Sequence, residues 1–249
     1  MIERRCPMES VIRTIRERVT QLDATVAIIL KGLFCTEKIM ARVLITSGPT
    51  REYLDPVRYL SNASSGRMGQ ALAEVFLEHG HQVFIVSGPV EIRYPSAASV
   101  IRVITTDDML KACEKVFEDC DGVIGAAAPC DYRPAKYSHE KLRKSGEPHT
   151  LELVETPDIL AALGQKKEHR WIVGFALETH DIHNRAMEKL RKKRCDLIVI
   201  NQPAAIGASV TQVEIADANG VILGSWTDSK KGIARRLYDI IAERFLANP

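Results

Sequence analysis

The stretch that most constrains this chain is Val43 to Thr46, an apolar, β-branched run that leads into Ser47-Gly48-Pro49. Such a run suits a buried strand and its exit. The next helical pattern begins only near Ser64-Ser65-Gly66, after which Met68, Leu72, Val75 and Phe76 fall at helical spacing and Gly80 supplies the stop. About eighteen residues therefore separate strand from helix, where βα loops ordinarily take roughly two to six. A loop of that length inside a compact domain is usually functional. Arg51, Asp55, Arg58 and Asn62 make this one polar, and Ser64 and Ser65 stand where a helix presents free N–H groups. That position attracts anions, phosphate above all. Serines there also cap helices, and capping alone would account for them in isolation.

The remainder of the chain repeats the alternation. HQVFIVSGP (81–89) reads as a second strand leaving through another Ser-Gly-Pro, and VIRVIT (100–105) as a third. GVIGAAA (122–128) is a fourth, apolar enough to be buried on both faces. Between the third and fourth, Asp107 or Asp108 can cap a helix running to about Cys120, with Met109, Leu110, Val116 and Phe117 apolar. WIVGFA (171–176) and DLIVIN (196–201) add two strands around a helix over 180–194. Asn219-Gly220 between alternating runs signals a hairpin over 212–225, and a helix over 228–246 closes the chain. These lengths imply an α/β protein, a Rossmann-like doubly wound and mainly parallel sheet with a C-terminal β-hairpin.

At 249 residues the chain fits one α/β domain with an appendage. A net charge of +2 gives no general attraction to nucleic acid or to a membrane surface, so any phosphate binding must come from local clusters. The six cysteines contain no C-x-x-C pair and read as reduced thiols of a cytoplasmic protein. Among the seven histidines, His79-x-His81 and His180-x-x-His183 lack the cysteine or acid partners of a zinc site. Residues 1–40 are expected to be a loosely held extension. Their apolar run VAIILKGLF spans nine residues with a lysine inside, well short of the roughly twenty that cross a bilayer. The domain proper is expected over 41–249.

In open parallel sheets ligands bind beyond the carboxyl ends of the strands. Four such ends carry polar groups here: the 47–64 loop, the segment from Pro129 to Arg133, Phe175 with Glu178, and Asn201. Asp131 is placed to meet a nucleotide's polar groups or its magnesium ion, and equally to serve as a turn or cap. Glu140-Lys141-Leu142-Arg143-Lys144 is a basic loop whose default role is a solvated surface. Thr156-Pro157-Asp158-Ile159 looks like a helix start with Thr156 at the cap. Lys189 and Lys193, four apart, share a helix face, which a solvated helix end would also explain. Tyr132-x-x-x-Lys136 has the spacing of a short-chain NAD(P)-dependent reductase, but Pro134 would spoil the helix that aligns such a pair, and no glycine fingerprint follows the first strand.

GPTREYLDPVRYLSNASSGRMG closely resembles the signature of phosphopantothenate–cysteine ligase, the second half of the bifunctional coenzyme A biosynthesis flavoprotein of bacteria, and further motifs follow in the family's order to the C-terminus. The resemblance implies a catalytic role for Asn62 and for Lys141, at the head of a loop where the family has Lys-x-Lys-Lys. It implies CTP contacts at Asp131, Lys141, Pro157, Asp158, Ile159, Phe175, Lys189 and Lys193, and phosphate or substrate binding at Ser64, Ser65 and Gly66. Pro129, Cys130 and Thr156 depart from the family pattern. The implied reaction joins 4′-phosphopantothenate to cysteine through an acyl-cytidylate, with Mg²⁺ carried mainly by the nucleotide phosphates and in part by Asp131. No flavin is expected, because forty residues cannot hold the relatives' flavin-binding decarboxylase, which is then a separate protein. A homodimer is expected as in the relatives.

Overall fold

The computed structural model describes residues 40–177, 180–201 and 210–247. The expectation for the first forty residues falls, but for Met40, outside them, as does Glu178. The described elements are β1 (Arg42–Ser47), β2 (Arg51–Tyr53), β3 (Tyr59–Ser61), α1 (Arg67–Glu78), β4 (Gln82–Ser87), β5 (Ser99–Arg102), α2 (Thr106–Phe117) and β6 (Gly122–Gly125). They continue with β7 (Tyr132–Pro134), β8 (Leu153–Glu155), α3 (Ile159–Gln165), β9 (Trp171–Leu177), α4 (Ile182–Lys192), β10 (Leu197–Asn201), β11 (Val210–Asp217), β12 (Ile222–Ser229) and α5 (Lys230–Ile241), the last continued by a π-helical turn over Ala242–Leu246.

Eight strands form the main sheet in the order β12-β11-β10-β9-β6-β1-β4-β5. The pairs from β10 to β5 are parallel, and β11 and β12 join antiparallel. This is the doubly wound, mainly parallel sheet with a C-terminal hairpin that the alternating runs imply. The continuous apolar character of β1 has a direct cause: Val43 and Ile45 face one layer of core and Leu44 the other, all three at 0% exposure. On the first face pack α1 and α5, through Leu72, Val75, Phe76, Ile233 and Leu237. On the second pack α2, α3 and α4, through Met109, Phe117, Leu163 and Leu190. At the Asn219-Gly220 turn, Gly220 takes φ +81° and the Asp217 carboxylate accepts from the Asn219 and Val221 N–H groups at 3.0 and 3.1 Å.

Local chemistry shifted several expected boundaries. The cap of α2 is Thr105 rather than Asp107 or Asp108: its hydroxyl accepts from Asp108 N–H while the Asp108 carboxylate accepts from Thr105 N–H, both at 3.1 Å. Asp107 instead pairs with Arg133. The cap of α3 is Asp158, which accepts from Ala161 N–H at 3.1 Å, and not Thr156. Pro157 disfavours helical dihedrals at the residue before it, so Thr156 stays extended past β8 and its hydroxyl donates to the Cys130 carbonyl. The fourth strand ends at Gly125 because the Thr46 hydroxyl takes the Ala127 N–H at 3.2 Å in place of a ladder bond.

Cys113, Cys120, Cys130 and Cys195 are all buried and reduced. Burial pushes Cys120 up to about 11 and Cys195 up to about 12, raises Cys130, and raises Cys113 further still. The thiolate is the reactive form. Brief alkylation of the folded protein at pH 8, mapped by mass spectrometry, is therefore expected to leave these four unlabelled, and all four should label once the chain is unfolded.

Candidate functional site

From β1 the chain winds outward through β4 and β5, then returns to place β6 on the other flank of β1. This reversal opens a crevice beyond the carboxyl ends of β1 and β6. Its walls are the loops that follow those two strands. The long first loop is not irregular throughout, since β2 and β3 pair within it as a small hairpin. Asn62, just past that hairpin, donates its amide to the carbonyls of Pro129 at 2.8 Å and Ala128 at 3.3 Å. Deeper, the Thr50 hydroxyl accepts from Cys130 N–H and bonds the Thr106 hydroxyl, both at 2.8 Å. The two loops are thus fastened together at the surface and in the interior.

Two adjoining cavities occupy the crevice. One, about 490 Å³, is lined by Asn62, Ser64, Ser65, Gly66, Asp131, Phe175, Lys189 and Lys193 among others. The other, about 400 Å³, is lined by Asp131, Pro157, Asp158, Ile159, Phe175 and Lys193 among others. Asp131, Phe175 and Lys193 belong to both. Of the catalytic and binding residues that the resemblance implies, Lys141 alone lines neither cavity. It lies on an exposed segment fastened to the first loop: the Leu142 N–H donates to the Asp55 carboxylate at 3.1 Å, and the Leu142 carbonyl accepts from the Arg58 guanidinium at 2.7 Å.

Asp55 is fully buried. Burial raises its carboxyl, but hydrogen bonds from Val57 N–H, the Arg58 side chain, Arg58 N–H and Leu142 N–H outweigh that and hold it well below the usual carboxylate range. A carboxyl depressed on folding stabilises the fold above its unfolded value and loses that contribution as pH falls toward the folded one. The tether to Leu142 is therefore intact at every physiological pH. In Asp55→Asn the carboxylate charge that holds both Arg58 and Leu142 is gone. Limited trypsin digestion should then cut after Lys141, Arg143 or Lys144 several-fold faster than in the parent protein.

The start of α1 has an unusual construction. Gly66 occupies the cap with φ +74° and no side chain bonds the first-turn N–H groups, so neither Ser64 nor Ser65 is a cap. A larger residue at 66 would need this left-handed backbone and would press on Val90 and Ile92 at 3.0 and 3.1 Å. Across the crevice, Lys193 sits at the end of α4 and pairs with the Asp158 carboxylate at 3.2 Å. Asp158 therefore caps α3 and holds a cation of the site together.

Four polar residues of the larger cavity's lining are not among the site residues expected from sequence: Arg67, Asn201, Thr211 and Lys230. Asn201 had been noted only as a polar strand end. Thr211 and Lys230 reach the crevice because the C-terminal hairpin folds β11 back along β10, pairing Val213 with Asn201. Local sequence carries no trace of that. Arg67, Lys189, Lys192, Lys193 and Lys230 against Asp131, Glu155 and Asp158 give the lining an excess of positive charge, which suits polyanions. Tyr132, for its part, lies on β7 paired with β8 rather than on a helix, so the reductase arrangement with Lys136 does not form.

A model of the DNA/pantothenate metabolism flavoprotein C-terminal domain matches residues 39–245. The coenzyme A biosynthesis bifunctional protein CoaBC of Haemophilus influenzae is 39% identical over 212 residues, covering 82% of this chain and 52% of that one. CoaBC of Bacillus subtilis is 46% identical over 167 residues, covering 67% and 41%. The crystal structure of the C-terminal domain of a CoaBC superposes with a TM-score of 0.71 at 36% identity, over 82% of this chain and 94% of that domain. The chain spans about half the length of the curated relatives it matches. It belongs to the family of DNA/pantothenate metabolism flavoprotein C-terminal domains.

Proposed function

We propose that this domain is a phosphopantothenate–cysteine ligase that activates its substrate with CTP. The observation that carries the reading is the gathering of Asn62, Asp131, Phe175, Lys189 and Lys193, from four separate segments, around one crevice. A carboxylate is a poor electrophile, so amide formation needs activation. The pantothenate carboxylate attacks the α-phosphorus of CTP, the bond to pyrophosphate breaks, and an acyl-cytidylate forms. The cysteine amine then attacks the acyl carbon, the carbon–oxygen bond to CMP breaks, and the amine proton leaves.

Each residue serves a part of this. Lys189 and Lys193 neutralise phosphate charge, Phe175 and the 157–159 segment pack against the nucleotide, and Asp131 meets its polar groups. The open start of α1 at Ser64 to Gly66 offers N–H groups to a phosphate. Asn62, with its amide hydrogens given to Pro129 and Ala128, keeps its side-chain oxygen for the acyl-cytidylate and incoming amine. Lys141, beside the tethered Leu142, reaches the nucleotide by swinging its own long side chain. Among the described residues no group of three or more His, Cys, Asp or Glu is placed to hold a metal ion. That donor set fits a magnesium ion held chiefly by nucleotide phosphates, with Asp131 as the one protein carboxylate; the ion offsets charge on the triphosphate. The active form is a homodimer.

Purified protein mixed with phosphopantothenate, cysteine, Mg²⁺ and either CTP or ATP tests the reading. Mass spectrometry is expected to find the amide product, with CMP released from the CTP reaction. Absence of amide with both nucleotides would overturn it, and amide with AMP alone would overturn the choice of CTP.

A further inference from the structure

Asp131 lies between strands, since β6 ends at Gly125 and β7 begins at Tyr132. It nevertheless lines both cavities, so something other than a strand ladder must fix the backbone that carries it. Threonine hydroxyls do so. The Thr50 hydroxyl accepts from Cys130 N–H at 2.8 Å and meets the Thr106 hydroxyl at 2.8 Å, and the Thr106 hydroxyl donates to the Cys130 carbonyl at 3.4 Å. A hydroxyl has one hydrogen to give, so Thr50 donates to Thr106. The three bonds then form a ring that leaves Cys130 through its N–H and returns through its carbonyl. Thr156 adds its own hydroxyl to that carbonyl and gives its N–H to the Asp131 carbonyl at 2.9 Å. We propose that Thr50 is a positioning residue: through this ring it fixes the Cys130 backbone and so holds the Asp131 carboxylate in the orientation that meets the nucleotide.

The inference rests on the ligase reading for the nucleotide, and on the hydrogen-bond ring for the way Thr50 acts. Thr50 and Thr106 are 0% and 1% exposed. At that depth a valine of the same shape would fill the space without the cost of burying a hydroxyl. An apolar side chain cannot fix the rotation of a peptide plane, whereas a fully satisfied polar network in a low dielectric holds its members rigid. The ring is anchored at a third point, because Thr106 N–H donates to the buried Glu52 carboxylate at 2.8 Å. Rotating the Cys130 backbone would swing the Asp131 side chain directly, and a displacement of about 1 Å in a binding group is enough to weaken what it holds.

The test is calorimetry with CTP and with phosphopantothenate on the whole protein and on the Thr50→Val, Thr50→Ser, Thr106→Val and Asp131→Asn variants, with Thr50→Val and Asp131→Asn also combined. Thr50→Val keeps the shape, removes the hydroxyl and is expected to weaken CTP binding about 10-fold. Phosphopantothenate affinity should stay within about two-fold of the parent. Thr50→Ser should restore most of the CTP affinity that valine loses, and Thr106→Val, which leaves the bond from Cys130 to Thr50 in place, should cost less than Thr50→Val. Because Thr50 acts through Asp131, adding Thr50→Val to Asp131→Asn should weaken CTP no further than Asp131→Asn alone, which a general loosening of the fold would not reproduce. Unchanged CTP binding in Thr50→Val or in Asp131→Asn, additive losses in the combined variant, or equal weakening of both ligands would each overturn the proposal. A parent protein that binds CTP but forms no amide would sink the ligase reading and leave the role of Thr50 in nucleotide binding standing.

Discussion

Asn62→Asp is expected to lower the rate of amide formation by about 100-fold or more while leaving the melting temperature within a few degrees. The side chain is exposed, so its replacement costs the core nothing. Its amide group, however, donates to Pro129 at 2.8 Å and Ala128 at 3.3 Å. In aspartate an oxygen replaces that nitrogen and faces two carbonyl oxygens. Repulsion then prises the first loop from the second, and a new negative charge appears beside the anionic substrates of the proposed reaction. Steady-state turnover together with a circular-dichroism melt separates the two effects. A variant as fast as its parent would remove Asn62 from the chemistry.

Gly88→Ala is expected to have the largest effect on stability, about 3 kcal/mol or more. Ser47-Gly48-Pro49 and Ser87-Gly88-Pro89 lie back to back, with the Gly88 N–H bonded to the Ser47 carbonyl at 3.0 Å. A Cβ on Gly88 would stand 1.6 Å from the Pro49 carbonyl oxygen. Backbone flanks the clash, so no rotamer change relieves it. By roughly 2–4 °C per kcal/mol for a domain of this size, the melting temperature should fall by about 6–12 °C. Gly80→Ala is the contrasting case. Nothing lies within 4 Å of a Cβ there, but φ is +83°, so only about 1 kcal/mol of left-handed strain is expected. Equal losses in the two variants would mean that contact between the two turns is not what requires a glycine at 88.

The sheet was legible because parallel strands buried on both faces must be continuously apolar, as in β1 and β6, and Asn219-Gly220 announced its own hairpin. Helix starts were read less well. Near α2 and α3 several Ser, Thr and Asp side chains compete for the cap, and the winner is decided by where the preceding strand releases the chain. Pro157 settled one case by keeping Thr156 extended. In the crevice, residues within a contiguous motif, such as Asn62 and Ser64, stood out, whereas Thr211 and Lys230 did not. Their place depends on a hairpin folding back on the sheet, a long-range event that no window of sequence contains. The anchoring of Leu142 by Asp55 is of the same kind, joining positions far apart in the chain.

The unfinished first turn of α1 has an energetic consequence. A helix whose leading amides await an acceptor is completed by whatever anion settles there, so occupancy and folding become a single equilibrium. Saturating the protein with a phosphorylated ligand should raise its thermal midpoint in proportion to the logarithm of ligand concentration. Amide exchange at Arg67 and Met68 should slow first, before any change reaches the strands.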